Sequence, residues 1–215
     1  MVKDSELSTG TVLIGRFTLV EPLTSCVFVA VDGHSGQKVI AKHAPKSQVE
    51  RESRCMIQCR SPYINQPIET LPEWLVLPYI RGTSVLTFSL EQRHLFMGCI
   101  PYIVRAIEHA HQAGWVHGDI KPSNILYLQQ FGSIQLIDFG AAWPVGTPLS
   151  QLNEWQLTPG FSRRSKQQGV GNVEPSDDWY ALAKWLEQID VNSLSTKERS
   201  QLERWKAWLS ERLVE

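Results

Sequence analysis

Apolar residues follow two regimes along the chain. Up to about residue 80 they come in short runs: Phe17–Glu21, Cys26–Val31 and Gln37–His43 are rich in Val, Ile and Phe and read as strands. Asp32-Gly33-His34-Ser35-Gly36 separates the last two as a turn cluster. Lys46–Gln58 reads as a helix, with Val49 and Met56 near helical spacing, and two more short strands are expected around Ile64–Ile68 and Trp74–Tyr79. Beyond that point the period lengthens. Leu95, Cys99, Ile103 and Ile107 recur every four residues with Ile100 and Val104 beside them, which predicts a helix roughly from Glu91 to Ala113, ended by Gly114. Ile125–Leu128 and Ile134–Ile137 bracket a turn at Gln130–Gly132 and read as a small hairpin. Asp178–Gln188 reads as a helix, and Ser195-Thr-Lys-Glu198 is a capping box opening a last helix with Leu202, Trp205, Leu209 and Leu213 on its apolar face.

This order predicts an α+β chain: a strand-rich front part over 1–80, with five strands and one helix, then a mainly helical part over 81–215. The change falls near Pro78–Gly82. A length of 215 residues suits one large domain or two small lobes sharing a cleft. The 21 Lys and Arg nearly cancel the 22 Asp and Glu, so the basic footprint of a nucleic-acid or anionic-membrane binder is absent. Met1–Gly10 lacks the apolar core of a signal peptide, and the most apolar stretch, Trp74–Ile80, is too short to span a bilayer; a cytoplasmic location is expected. Cys26, Cys55, Cys59 and Cys99 form no CxxC pair and read as structural thiols.

Two strings carry chemistry: Val116-His-Gly-Asp-Ile-Lys-Pro-Ser-Asn-Ile-Leu126 and Leu136-Ile-Asp-Phe-Gly140. They bring three oxygen-bearing side chains to neighbouring loops. Asp119 and Asn124 lie five apart around a proline-containing loop, and Asp138 ends an apolar run just before a permissive glycine. Hard oxygen ligands completed by water and phosphate suit magnesium. A carboxylate left off the metal, within reach of a hydroxyl, suits phosphoryl transfer. Any one of these residues alone reads as a cap or a turn; their order and spacing together do not.

In these strings the chain resembles the eukaryotic-like serine/threonine protein kinases found widely in bacteria, over nearly its whole length. The resemblance implies a two-lobed fold that uses ATP and magnesium. It makes Asp119 the catalytic base, Lys121 the lysine that steadies the transferred phosphate, and Asn124 and Asp138 the metal ligands. Val39-Ile-Ala-Lys42 matches the strand ending in the phosphate lysine, and Glu52 in Arg51-Glu52-Ser-Arg matches its carboxylate partner. Pro78 and Ile80 match the main chain that meets the adenine edge, while Val27 and Leu126 match the apolar residues around the base. Thr158 in Thr158-Pro-Gly-Phe161 matches the threonine bridging the catalytic Asp and Lys, and Asp178 the aspartate that holds the catalytic loop. Met56, His117 and Phe139 match residues of a packed column joining the lobes.

Departures from the family pattern bear on function. Only Thr24-Ser25-Cys26 stands where a glycine-rich loop belongs, with hydroxyls offered in its place, and Ile40 replaces a small residue over adenine. Gly118 replaces an arginine that receives activating phosphate, and Ser162-Arg-Arg-Ser165 follows Phe161 where an APE string is expected. The part after the Asp178 helix is shorter than in the family. Three readings stay open: a minimal protein kinase acting on serine or threonine hydroxyls, a pseudokinase serving as a binding module, and a small-molecule kinase of the aminoglycoside-phosphotransferase type. The first implies a protein substrate or a regulatory protein partner.

Overall fold

The front part folds into a six-stranded antiparallel sheet. In chain order its elements are β1 (Val12–Leu13), β2 (Phe17–Pro22), β3 (Val27–Asp32), β4 (Lys38–His43), α1 (Lys46–Gln58), β5 (Glu69–Thr70) and β6 (Trp74–Pro78). In space the strands run β1-β2-β3-β4-β6-β5. The computed structural model describes residues 8–89, 92–152 and 157–213, with the Arg93 side chain left aside.

Register sorts the sheet into two chemically distinct faces. Phe28 opposes Ala41, Ala30 opposes Val39, and Val76 opposes Ala41, so all five point one way. With Leu13, Phe17 and Leu19 they form a buried core, edged by Leu71 and Trp74. On the other face Val27 opposes Lys42, and Val27, Ile40 and Lys42 are only partly buried. Helix α1 starts where Pro45 accepts the amides of Gln48 and Val49, a position at which the missing proline N–H costs nothing.

The strand expected at Ile64–Ile68 is corrected: the paired segment is Glu69–Thr70. Pro67 has no N–H to give a ladder, and Ile64 is buried in a parallel bridge to Leu136 instead. Two compact units result, one holding the described residues up to Ile57 with Asn65–Arg81, the other Gln58–Ile64 with the described residues from Gly82 onward. The loop Gln58–Ile64 is drawn into the second unit because Trp115 Nε1 donates to Gln58 Oε1 (2.6 Å) and the Leu136 amide to the Tyr63 carbonyl (2.9 Å).

The second unit contains β7 (Thr83–Ser84), α2 (Arg93–Gln112), β8 (Trp115–Val116), β9 (Ile125–Leu128), β10 (Ser133–Leu136), β11 (Trp143–Pro144), α3 (Arg164–Gln167), α4 (Pro175–Glu187) and α5 (Thr196–Leu213). Glu91, where the second helix was expected to begin, lies outside the described residues. Strands order as β10-β9-β7, with β11 paired to β8. Ile100, Ile103 and Ile107 of α2 are fully buried, as are Leu182 and Leu186 of α4 and Leu202 and Leu209 of α5. Aromatic contacts join these helices: Phe96 with Trp185 at 4.7 Å and Trp179 with Trp208 at 5.4 Å. The capping box of α5 forms as read, with Ser195 N donating to Glu198 Oε2 (2.8 Å) and Glu198 N to Ser195 Oγ (3.3 Å).

Among the described residues no helix is long and apolar enough to cross a membrane. Cys55, Cys59 and Cys99 are buried and unbridged, and burial pushes the Cys99 thiol up to about 11, as an inert core thiol requires.

Candidate active site

The loop from β8 to β9 carries His117, Gly118, Asp119, Lys121 and Asn124, and one buried carboxylate organises it. Asp178, at the start of α4, accepts the His117 amide (2.9 Å) and the Gly118 amide (2.8 Å), and His111 of α2 donates its Nε2 hydrogen to the same group (2.9 Å). Full burial opposes the Asp178 charge, yet the His111 hydrogen bond holds the carboxyl below its ordinary range. The His117 ring fixes the other end. Its Nδ1 accepts the Asp119 amide (3.3 Å) while Nε2 donates to the Ile137 carbonyl (3.1 Å), which settles the tautomer and ties the loop to the residue before Asp138.

Asp119, 7% exposed, sits at the centre of a closed set. Thr158 Oγ1 donates to Asp119 Oδ1 (2.7 Å), Lys121 Nζ lies 2.6 Å from Asp119 Oδ2, and Lys121 also donates to Thr158 Oγ1 (3.1 Å). Asn124 Nδ2 donates to the Asp119 carbonyl (2.9 Å) and to Oδ2 (3.2 Å), while its amide oxygen accepts only a long bond from the Ser123 hydroxyl (3.5 Å) and keeps acceptor capacity for a cation. The Ile137 amide donates to the Asn124 carbonyl (3.0 Å), which sets the approach to Asp138 beside Asn124. Asp138 adopts a left-handed conformation (φ 63°), rare outside glycine and tolerated by aspartate.

Two oxygen donors, one amide and one carboxylate, match a magnesium site completed by water and phosphate oxygens, and they fit no all-protein cage. No cluster of three or more His, Cys, Asp or Glu suited to a metal occurs among the described residues.

In the first unit Lys42 Nζ meets both carboxylate oxygens of Glu52 (2.9 and 2.8 Å), with the Glu52 side chain 1% exposed. A buried carboxylate of this kind fixes the direction of the long ammonium stem. Val27 and Ile40 share the face of Lys42, Pro78 ends β6, and Ile80 follows outside the ladder. Leu126 lies half-buried on β9 in the second unit, where Gly82 passes so close that a Cβ would stand 3.0 Å from the Leu126 Cβ. At the β2–β3 turn the Thr24 hydroxyl oxygen accepts the amides of Cys26 (3.3 Å) and Val27 (3.0 Å). The amides of Cys26 and Val27 are therefore satisfied from within the turn.

A sequence model described as Protein kinase domain matches residues 23–186, well over half of the chain. The chain belongs to the protein kinase domain family. The DNA damage-responsive serine/threonine-protein kinase RqkA of Deinococcus radiodurans is 26% identical over 211 residues, which cover 87% of this chain and 31% of that protein. The serine/threonine-protein kinase YabT of Bacillus subtilis is 25% identical over 130 residues, covering 60% of this chain and 36% of its own. Human serine/threonine-protein kinase MRCK gamma is 32% identical over 119 residues, covering 51% of this chain and 8% of its own. This kinase domain chain spans little more than a third, at most, of the length of these curated relatives.

Three further residues of this arrangement belong to no motif read in the sequence. His111 reaches Asp178 through its Nε2. Lys166 and Asp177 are both buried, Lys166 to 6% exposure. The one available signal was Asp177 standing directly before Asp178 at a helix start.

Proposed function

We propose that the chain transfers the γ-phosphoryl group of ATP to serine or threonine hydroxyls of a protein. The closed contact of Asp119, Lys121 and Thr158 carries this reading. Three of the roughly four acceptor positions of a carboxylate are occupied by Thr158, Lys121 and Asn124, which leaves one for the incoming hydroxyl. In the reaction the hydroxyl oxygen bonds to the γ-phosphorus and its proton passes to Asp119. The bond to the bridging oxygen breaks, and its electron pair leaves with ADP. Lys121, already held by Thr158, places positive charge where the transferred group develops negative charge. Lys42, aimed by Glu52, is the phosphate-facing cation of the first unit; Asn124 and Asp138 are the magnesium ligands of the second. Val27, Ile40, Pro78 and Ile80 are the first unit's proposed contributors to adenine binding, and Leu126 is the second unit's. Magnesium held by Asn124 and Asp138 together with the nucleotide would offset the negative charge of the transferring phosphate.

A pseudokinase reading has one observation in its favour: the amides of Cys26 and Val27 are spent on the Thr24 hydroxyl rather than on a phosphate. Label transfer from γ-labelled ATP to protein acceptors separates the two readings. With Lys121→Ala we expect turnover to fall about 10²-fold with little change in the KM for ATP, because one preorganised donor is lost in the transition state. Thr158→Ala acts on the same step, so the double variant falls short of the product of the two effects. Unchanged turnover in Lys121→Ala would exclude the assigned role of this loop and favour a small-molecule acceptor.

A further inference from the structure

Helix α3 is only one turn long, yet its residues grip two separate parts of the proposed site. Gln167 Nε2 donates to the carbonyls of Pro159 (3.0 Å) and Ser162 (2.8 Å), the turn that begins at Thr158. One residue earlier, Lys166 Nζ donates to the Gly118 carbonyl (3.2 Å), the peptide that leads into Asp119. Its ammonium also lies 3.8 Å from Asp177 Oδ2, which in turn accepts the Glu174 amide at the start of α4 (3.2 Å). A lysine buried to this degree needs such partners to stay charged.

The position beside Gly118 cannot be filled from Gly118 itself. Its φ is +81°, and a Cβ there would stand 2.5 Å from the Ala141 carbonyl oxygen and 3.6 Å from Lys166 Nζ. The cation next to the catalytic loop is thus delivered from α3, on the segment that carries Thr158.

We propose that Lys166 is a positioning residue, a built-in latch that holds the Thr158 segment against the catalytic loop without any phosphorylated side chain. Asp119, Lys121 and Thr158 keep their mutual contacts only while these two segments stay together, and Lys166 with Gln167 spans them. The latch replaces the device in which an added phosphate must find a guanidinium at position 118, where this chain has glycine. The inference rests on the kinase reading for its effect on turnover, but not for its effect on the fold of the loop.

The test compares phosphatase-treated wild type with Lys166→Met, which keeps the stem and loses the charge, and with Lys166→Arg. Amide hydrogen exchange is read first, over residues 117–124 and 158–168. Exchange in both segments should speed up about tenfold in Lys166→Met and return towards wild type in Lys166→Arg, with the α2 core unchanged. Turnover of protein hydroxyls should fall about tenfold or more in Lys166→Met, with the KM for ATP within about twofold, and Lys166→Arg should recover most of it. Unaltered exchange in both segments overturns the latch, and so does a loss of turnover in wild type on phosphatase treatment. A wild type inactive from the start, with exchange responding as described, sinks the kinase reading and leaves the latch standing.

Discussion

Gly118 shows how much a single backbone angle decides in this loop. From sequence it reads as the loss of an arginine and hence of a phosphate receiver. Its φ of +81° and the Ala141 carbonyl 2.5 Å from any Cβ add a steric reason for having no side chain there. Gly118→Ala should therefore cost about 1–3 kcal/mol of stability in urea unfolding, and a loss under about 0.5 kcal/mol would contradict the strain argument. The meeting of Asp119 with Asn124 was legible because it follows from fixed order and short spacing in one loop. Lys166 was not, because its burial depends on Gly118, 48 residues earlier, and on Asp177 of the next helix. No local pattern records such a partnership.

At the scale of elements, α1 matches its expected bounds because a proline start and helical spacing both lie within its own segment. The strand expected at Ile64–Ile68 does not, since Ile64 bridges Leu136, far along the chain. The β3–β4 turn gives a pH-dependent test. Arg16 grips Asp32 through two nitrogens (2.7 and 3.0 Å), and the Asp32 carboxylate also accepts the His34 amide and the Ser35 hydroxyl. The Arg16 hydrogen bonds hold the Asp32 carboxyl far below its ordinary range. A depressed folded-state pKa gives stability that is present above the unfolded value of about 3.9 and fades as pH falls towards the folded one. Wild type should therefore exceed Asp32→Asn in urea midpoint by a constant margin from about pH 7 to 5, and the margin should shrink below about pH 4. A margin independent of pH down to about 2.5 would mean that the Arg16 contact acts through packing rather than charge.

On the scale of the whole molecule, the two units divide the proposed work, the Lys42–Glu52 pair in one and the Asp119 set in the other. The kinase family was legible from the order of these motifs along the chain. The bonds from the Cys26 and Val27 amides to Thr24 were not, because a sequence does not say which amides a threonine hydroxyl will accept. On the proposed function, with the Cys26 and Val27 amides spent on Thr24, phosphate binding rests on Lys42 and the proposed magnesium ligands, and modest nucleotide affinity is the expected outcome. The most direct test measures label transfer from γ-labelled ATP and Mg-ATP-dependent thermal shift on the same samples of wild type and Asp119→Asn. The account predicts transfer by wild type, a loss of about 10²–10⁴-fold in Asp119→Asn, and a thermal shift retained in both. Equal transfer by the two proteins, or a thermal shift with no transfer by wild type, would contradict it.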